Sequence, residues 1–390
     1  MERLTEVGRK MGMKMEEPRI SVIRKPPIPS WDLGDYMYFF PDVQIILFML
    51  KPTEKDLYET VKYCADNFER VVTQCVRPHT YRKNATEQVL RNLIYKINAK
   101  CGGTNVAVDW QAMQPQMDFM CSSVLVLGGS IDHPQEPDTG KCSIAAVVAV
   151  IDHDKGKYAV QVLPQPVQHD ICQLKVITIR LLLEYYRLMR CTKPQRIIMY
   201  RIGIPESYFS TVVPKEVAAI HAACDEVQED TNYNPQITYI VAEKQRQTRF
   251  FCKEEDSAGS VGNIAPGTVV DNDITHHTYR DFYLCSHLSE KSTSLPTHYF
   301  VLLDENNLTM DQVEVLTYIL CHLNARCAHS TSLPMPIVYA QLASERGRLH
   351  MFELNSWLEI SPYTARNEHL GIYASLMDEK NSLSTTLYYL

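Results

Sequence analysis

A chain of 390 residues with 45% hydrophobic and 22% charged residues is long enough for two cored domains and has an ordinary globular composition. Its formal net charge of −7 argues against indiscriminate nucleic-acid binding, although not against a local basic groove. The first eighteen residues lack the apolar stretch of a secretory signal, the longest apolar runs are too short to cross a bilayer, and the twelve cysteines form no CxxC pair, so export, membrane residence and zinc are not expected and a reduced cytoplasmic or nuclear setting is.

Residues 43–49 (VQIILFM) read as a strand buried on both faces. Leu57, Val61, Cys64 and Phe68 then fall at helical spacing. A second helix is predicted from about Glu87 to Lys100, with Asn84 as N-cap and Leu90, Leu93, Ile94 and Ile97 as its buried stripe. Between Arg77 and Lys100 lie six basic residues (77, 82, 83, 91, 96 and 100) against a single acid, Glu87, so positive charge is concentrated there. The pattern lapses at 111–116 (QAMQPQ), a polar, proline-containing connection that suits a domain boundary.

Three apolar runs follow, at 122–127, 143–152 and 158–163, and suggest an antiparallel meander. A long helix should carry Leu174, Ile177, Leu181, Tyr185 and Leu188 on one face. A strand at 196–200, a helix around 216–227 and a strand at 236–243 complete the pattern. By pattern alone this is an α/β chain with a mixed sheet.

Eight blocks carry a more specific resemblance. TQCV (73–76), KINAKCGG (96–103), SIAAVVA (143–149), QRIIMYR (195–201), NIAPGTVVD (263–271), DFYLCSH (281–287), THYFVLLDEN (297–306) and RCAHSTSLPMPIVYA (326–340) resemble, in order, blocks of eukaryotic Argonautes. The resemblance implies a Rossmann-like MID domain over 1–112, followed by an RNase H-like PIWI domain over 117–390. The N-terminal and PAZ portions of that family have no counterpart in these residues.

The resemblance also assigns roles. Tyr58 and Lys62, four apart on one helix face, Gln74 in TQC, and Lys96 and Lys100, again four apart, stand where the family clasps the 5′ phosphate of a guide RNA and stacks its first base. Each pair by itself would be no more than a solvated helix face; the five together in matched motifs read as an anion site. Arg346 resembles an arginine that reaches the same phosphate. Lys244, Arg246, Thr248, Arg249, His287, Arg326 and Ser332 resemble contacts to the guide backbone, and a further family arginine is replaced here by Leu295. The segment 51–57 is slightly longer than its counterpart, which leaves first-base preference open.

The cutting site, by contrast, is degenerate. LGGSIDHP (127–134) and IIMYRIG (197–203) resemble the strands that deliver metal-binding aspartates in slicing members. The family tetrad of Asp, Glu, Asp and His or Asp is here Ser130, Asp170, Ile202 and Gln341. Serine and glutamine are poor Mg²⁺ ligands and isoleucine has no donor atom, whereas two-metal cleavage needs several converging ligands. Asp132 shares the strand face of Ser130 but lies about 7 Å further along. His133, His276 and His277 lack ligand spacing and read as structural or exposed. No GxSxG, P-loop or HExxH is present.

The expectation is a slicer-inactive Argonaute-like protein that holds a small guide RNA, pairs with complementary target RNA and silences by recruiting cofactor proteins, with no membrane partner and no cofactor beyond, at most, a structural Mg²⁺ at the 5′ phosphate. Two alternatives stand beside it. One is an interaction module that no longer loads RNA, with partners docking near Tyr186, Lys193 and Pro194. The other is a residual metal-dependent endoribonuclease with a relocated site, against which Ile202 speaks.

Overall fold

The computed structural model describes residues 2–19, 42–51, 53, 55–69, 71–77, 85–134, 142–152, 156–227, 233–244, 247–357 and 385–390. The chain starts with helix α1 (Glu2–Lys10), and strand β1 (Ile45–Met49) follows. Helix α2 (Lys55–Cys64) runs on into a wider π turn over Ala65–Glu69 and leads to strand β2 (Val72–Val76), which pairs in parallel with β1. Helix α3 (Glu87–Lys100) completes this unit. Alternation along β1 sends Ile45 and Leu47 toward α1 and α3, and Ile46 and Phe48 toward α2. The strand is therefore covered on both faces, as its continuous apolar run implies, although Met49 at its end is 45% exposed.

The stripe Leu90, Leu93, Ile94 and Ile97 of α3 is buried, against Leu4 and Val7 of α1. Its cap differs from expectation. Thr86 caps α3, its hydroxyl accepting from the Val89 N–H at 3.4 Å; Asn84 lies outside the described residues. The polar connection at 111–116 leads through short 3₁₀ turns at Gln111–Met113 and Asp118–Cys121. Trp110, Met117, Phe119 and Met120 pin it into the core of the larger sheet, so it is anchored rather than loose.

That sheet holds strands β3 (Val124–Asp132), β4 (Ser143–Asp152), β5 (Lys157–Gln165), β6 (Arg196–Ile202), β7 (Gln236–Lys244), β8 (Thr268–Val270), β9 (Arg280–Cys285) and β10 (Thr297–Asp304). Their spatial order is β5-β4-β3-β6-β7-β10-β9-β8. The first three form the predicted antiparallel meander, β3, β6 and β7 run parallel, and the far edge is antiparallel again. This is a mixed α/β architecture of the RNase H-like kind. Helices α4 (Leu174–Leu188) and α5 (Phe209–Val227) cover one face, where Leu125, Leu127, Ile197 and Met199 point. Helices α6 (Met310–His322) and α7 (Met335–Trp357) cover the other, with Val124, Val126, Ile198 and Tyr200.

Two helix expectations need correction. Helix α5 begins at Phe209, not at 216, because Phe209, Val212 and Val213 are already buried, and that packing outweighs the one backbone hydrogen bond that Pro214 removes inside the helix. On α4, Leu188 is 43% exposed and Leu182 takes a place on the buried face. One glycine shapes the sheet-to-helix contact. Gly128 of β3 passes against the first turn of α7, where an added Cβ would overlap the Pro336 backbone. This close approach brings the middle of α7 over the end of β3.

Candidate anion-binding site

Helix α2, strand β2, helix α3 and helix α7 converge on a cluster of buried charge. Lys62 and Lys100 are 2% and 1% exposed. The Lys62 ammonium donates to the Thr73 carbonyl at 2.8 Å and to the Thr73 hydroxyl at 2.7 Å, and Lys100 donates to the same carbonyl at 2.9 Å. Two ammonium groups thus meet over one oxygen. Arg346 arrives from α7, also buried, and donates to Asp66 at 2.6 Å. Tyr58 is half-buried one turn before Lys62, close enough to Arg346 to affect its charge.

The electrostatics follow from burial. Desolvation, then the Arg346 charge, pushes the Lys62 ammonium down to about 8, and desolvation and Lys62 push Lys100 well below its ordinary value. For Asp66 burial would raise the carboxyl, but Arg346, His350 and Lys62 outweigh it and hold it well below the usual carboxylate range. Burial alone would lower Arg346, yet the Asp66 carboxylate beside it raises it instead and keeps the guanidinium charged. Three basic side chains therefore face one carboxylate, an excess of positive charge away from water. Such an excess is costly unless an anion shares the site.

Gln74 lies beside them, with its amide NH₂ donating to the Cys75 carbonyl at 2.8 Å and its oxygen without a partner among the described residues. Lys96 is set apart. It is half-buried, and after desolvation the charge that lowers it most is Arg326. The structure thus divides the predicted set into an inner cluster of Tyr58, Lys62, Gln74, Lys100 and Arg346, and a neighbouring pair of Lys96 and Arg326.

Two members were not read from sequence. Asp66 bridges Arg346 and His350, whose Nε2 lies 3.1 Å from the same Oδ2. The signal was available in principle: Asp66 continues the 58, 62 stripe by one helical turn, and His350 lies one turn beyond Arg346. Among the backbone candidates, Lys244 and His287 are neighbours, since burial and then Lys244 lower the imidazole. Arg249 is exposed and Thr248 is half-buried near Tyr283. Ser332 is half-buried, its carbonyl accepting from Thr297 at 2.6 Å. Arg246 lies outside the described residues. Tyr186 is 37% exposed, the Lys193 ammonium lies over the Tyr233 ring at 5.2 Å, and the Pro194 carbonyl accepts from the Tyr233 hydroxyl.

The four tetrad positions lie on β3, on the turn before α4, on β6 and on α7. Ser130 and Ile202 lie one step beyond the last β3–β6 pair, Gly129 with Arg201, so they stand side by side at the ends of two parallel strands. Ile202 packs against the apolar core on the α7 side. Asp170 lies in the turn before α4, 3.4 Å from the Gln168 amide, and Gln341 lies on α7. Asp132 is taken up by Arg348, which contacts both its carboxylate and, at 2.6 Å, its carbonyl. Buried Arg201 and Glu216 pair at 3.4 Å, and Tyr239 donates to Glu216 at 2.6 Å. His133 donates to or accepts from Ser143 at 2.8 Å, and His276 stacks on His277.

A Piwi domain model matches residues 45–351. Among solved structures, Kluyveromyces polysporus Argonaute with a guide RNA shares 25% identity at a TM-score of 0.85, covering all of this chain and 48% of that one. The C-terminal lobe of a budding yeast Argonaute shares 24% at 0.84, covering all of this chain and 80% of that one. Drosophila Piwi shares 22% at 0.78, again with full coverage here and 48% there. The chain thus spans about half the length of the Kluyveromyces polysporus Argonaute.

Proposed function

This chain belongs to the Piwi-domain family, as an Argonaute-type chain, and on that premise we propose that it binds a small guide RNA by its 5′ phosphate, pairs that guide with target RNA without cutting it, and silences through recruited proteins. In this reading residues 1–112 serve as the MID domain and 117–390 as PIWI. The observation that carries it is the buried excess of positive charge, Lys62, Lys100 and Arg346 against Asp66. A terminal phosphate dianion matches that excess, and charge-assisted hydrogen bonds from two ammonium groups replace its hydration. With three cations in place, the pocket complements the phosphate without a divalent ion. The guide solved with the Kluyveromyces polysporus protein supports RNA as the ligand class.

Absence of cleavage rests on donor chemistry. The four tetrad positions supply one carboxylate, Asp170, and the extra carboxylate nearby, Asp132, is engaged by Arg348. Ile202 offers an apolar side chain where an ion would need oxygen. This set does not fit a two-metal centre. Pairing then provides specificity while the protein grips phosphate and backbone.

The test is equilibrium binding of one short RNA carrying either a 5′ phosphate or a 5′ hydroxyl, at fixed salt, with target cleavage scored in Mg²⁺. Phosphate preference lost in Lys62→Ala, with intact target throughout, supports the proposal. Equal weak binding of both RNAs overturns it.

A further inference from the structure

We propose that the region at the ends of β3 and β6 offers a stacking site for an unpaired RNA base, in which the exposed ring of Tyr208 takes the base and His169 and His133 back it. The inference rests on the RNA-binding reading above. Three of the four chain segments that carry a tetrad position also contribute one ring each; the fourth, that of Gln341 on α7, contributes none. His133 follows Ser130 by three residues, His169 adjoins Asp170, and Tyr208 ends the short 3₁₀ turn Glu206–Tyr208 after Ile202 and β6. The rings meet in series, His133 edge-on to His169 at 6.1 Å between centroids (78° between planes) and His169 tilted against Tyr208 at 4.1 Å (45°), so that His169 and His133 brace Tyr208 from one side.

One ring and the backbone of the next are held by hydrogen bonds. His133 Nδ1 is 2.8 Å from the Ser143 hydroxyl. The backbone of His169 is fixed by Arg201, which donates to its carbonyl at 3.0 Å, and Arg201 is itself locked by buried Glu216. The third ring, Tyr208, is 43% exposed. His169 Nδ1 is buried and has no hydrogen-bond partner among the described residues. An exposed aromatic face braced by two further rings suits a nucleobase, which offers a face to stack. It suits a protein side chain less well, because the hot spots of protein interfaces sit in desolvated pockets, and here the outermost ring stands in solvent.

The experiment uses the full chain loaded with a 5′-phosphorylated guide. Targets carry a single unpaired 2-aminopurine at successive positions along the duplex. The expected result is one position where fluorescence is quenched on binding. At that position Tyr208→Ala restores the signal and weakens target binding about tenfold, while Tyr208→Phe keeps both and guide affinity stays the same. Quenching at no position, or a Tyr208→Ala protein within twofold of the parent at every position, overturns the inference alone and leaves the rings as a face for a protein partner. Failure to load any guide in a phosphate-dependent way overturns the functional reading and this inference with it.

Discussion

Two regions of this molecule treat charge in opposite ways. The pocket between α2, α3 and α7 keeps three basic side chains buried around one carboxylate. The region at the ends of β3 and β6 has serine, isoleucine and glutamine where ligands would be needed, and neutralises its stray aspartate with Arg348. One region concentrates buried positive charge; in the other the nearby aspartate is paired with Arg348. The contrast indicates where binding energy is stored. A site that gathers buried cations is matched to an anion, whereas the charged groups at the strand ends are already paired with one another, Asp132 with Arg348 and Arg201 with Glu216.

The sharpest way to break this contrast is to remove the single carboxylate of the pocket. Asp66→Ala leaves Arg346 and His350 without their partner, and loss of one side of a buried pair costs about 3–5 kcal/mol. Urea unfolding should show that loss, and saturating 5′-phosphorylated RNA should recover part of it, because the ligand supplies the missing negative charge. A loss that ligand does not reduce would detach Asp66 from the anion pocket.

Next comes Lys62→Ala, or Lys100→Ala. Each removes a charge-assisted hydrogen bond worth about 1.5–3 kcal/mol, so the preference for phosphate over hydroxyl should fall by roughly ten- to a hundredfold. Lys96→Ala should cost less, because Lys96 stands with Arg326 outside the inner cluster. Competition binding of the two RNAs separates these cases; equal losses would put Lys96 back in the pocket.

The pH dependence tests the same burial with a defined sign. Lys62 is lowered to about 8 from an ordinary value of 10.5. Folding therefore disfavours its charged form, a cost present in full below pH 8 and relieved as pH rises toward 10.5. Phosphate binding needs the charged form. Affinity for 5′-phosphorylated RNA should thus decline as pH rises through about 8, by up to about tenfold per unit per proton. Over the same window the ligand-free protein gains stability from this group. Affinity that is flat from pH 7 to 9.5 would show that the ammonium is not buried as described.

The smallest effect on guide binding is expected at the strand ends. Ser130→Asp with Ile202→Asp places two carboxylates beside each other near an apolar core, at a cost of about 1–3 kcal/mol. Thermal melts should show this destabilisation, and Mg²⁺ should reduce it. Phosphate preference should stay within twofold, since the anion pocket is built from other elements. A large change in guide binding would join two regions described here as separate.

The sequence shows why the pocket was legible in part. Spacing of four placed Tyr58 and Lys62 on one helix face and Lys96 and Lys100 on another, and family blocks tied them to Gln74 and Arg346. What spacing did not reveal is that Lys62 and Lys100 share one carbonyl, that of Thr73. It also did not separate Lys96 from its helical neighbour. Asp66 and His350 escaped notice because a lone acid or histidine on a helix carries no signal until its long-range partner is known. The rings of His133, His169 and Tyr208 were legible only as isolated loop residues.

By itself the sequence determined the strands near 43–49, 122–127, 143–152, 158–163, 196–200 and 236–243, the helices that alternate with them, most of their buried stripes, and the absence of a carboxylate at 130, 202 and 341. These follow from local periodicity and residue chemistry, which need no knowledge of distant contacts. Only the tertiary structure decided which charges face one another, because Arg346 and Asp66 are 280 residues apart in the chain yet 2.6 Å apart in space. Burial is likewise a property of the assembled fold. The same lysine is an ordinary cation on an isolated helix and a strained one beneath β2 and α7.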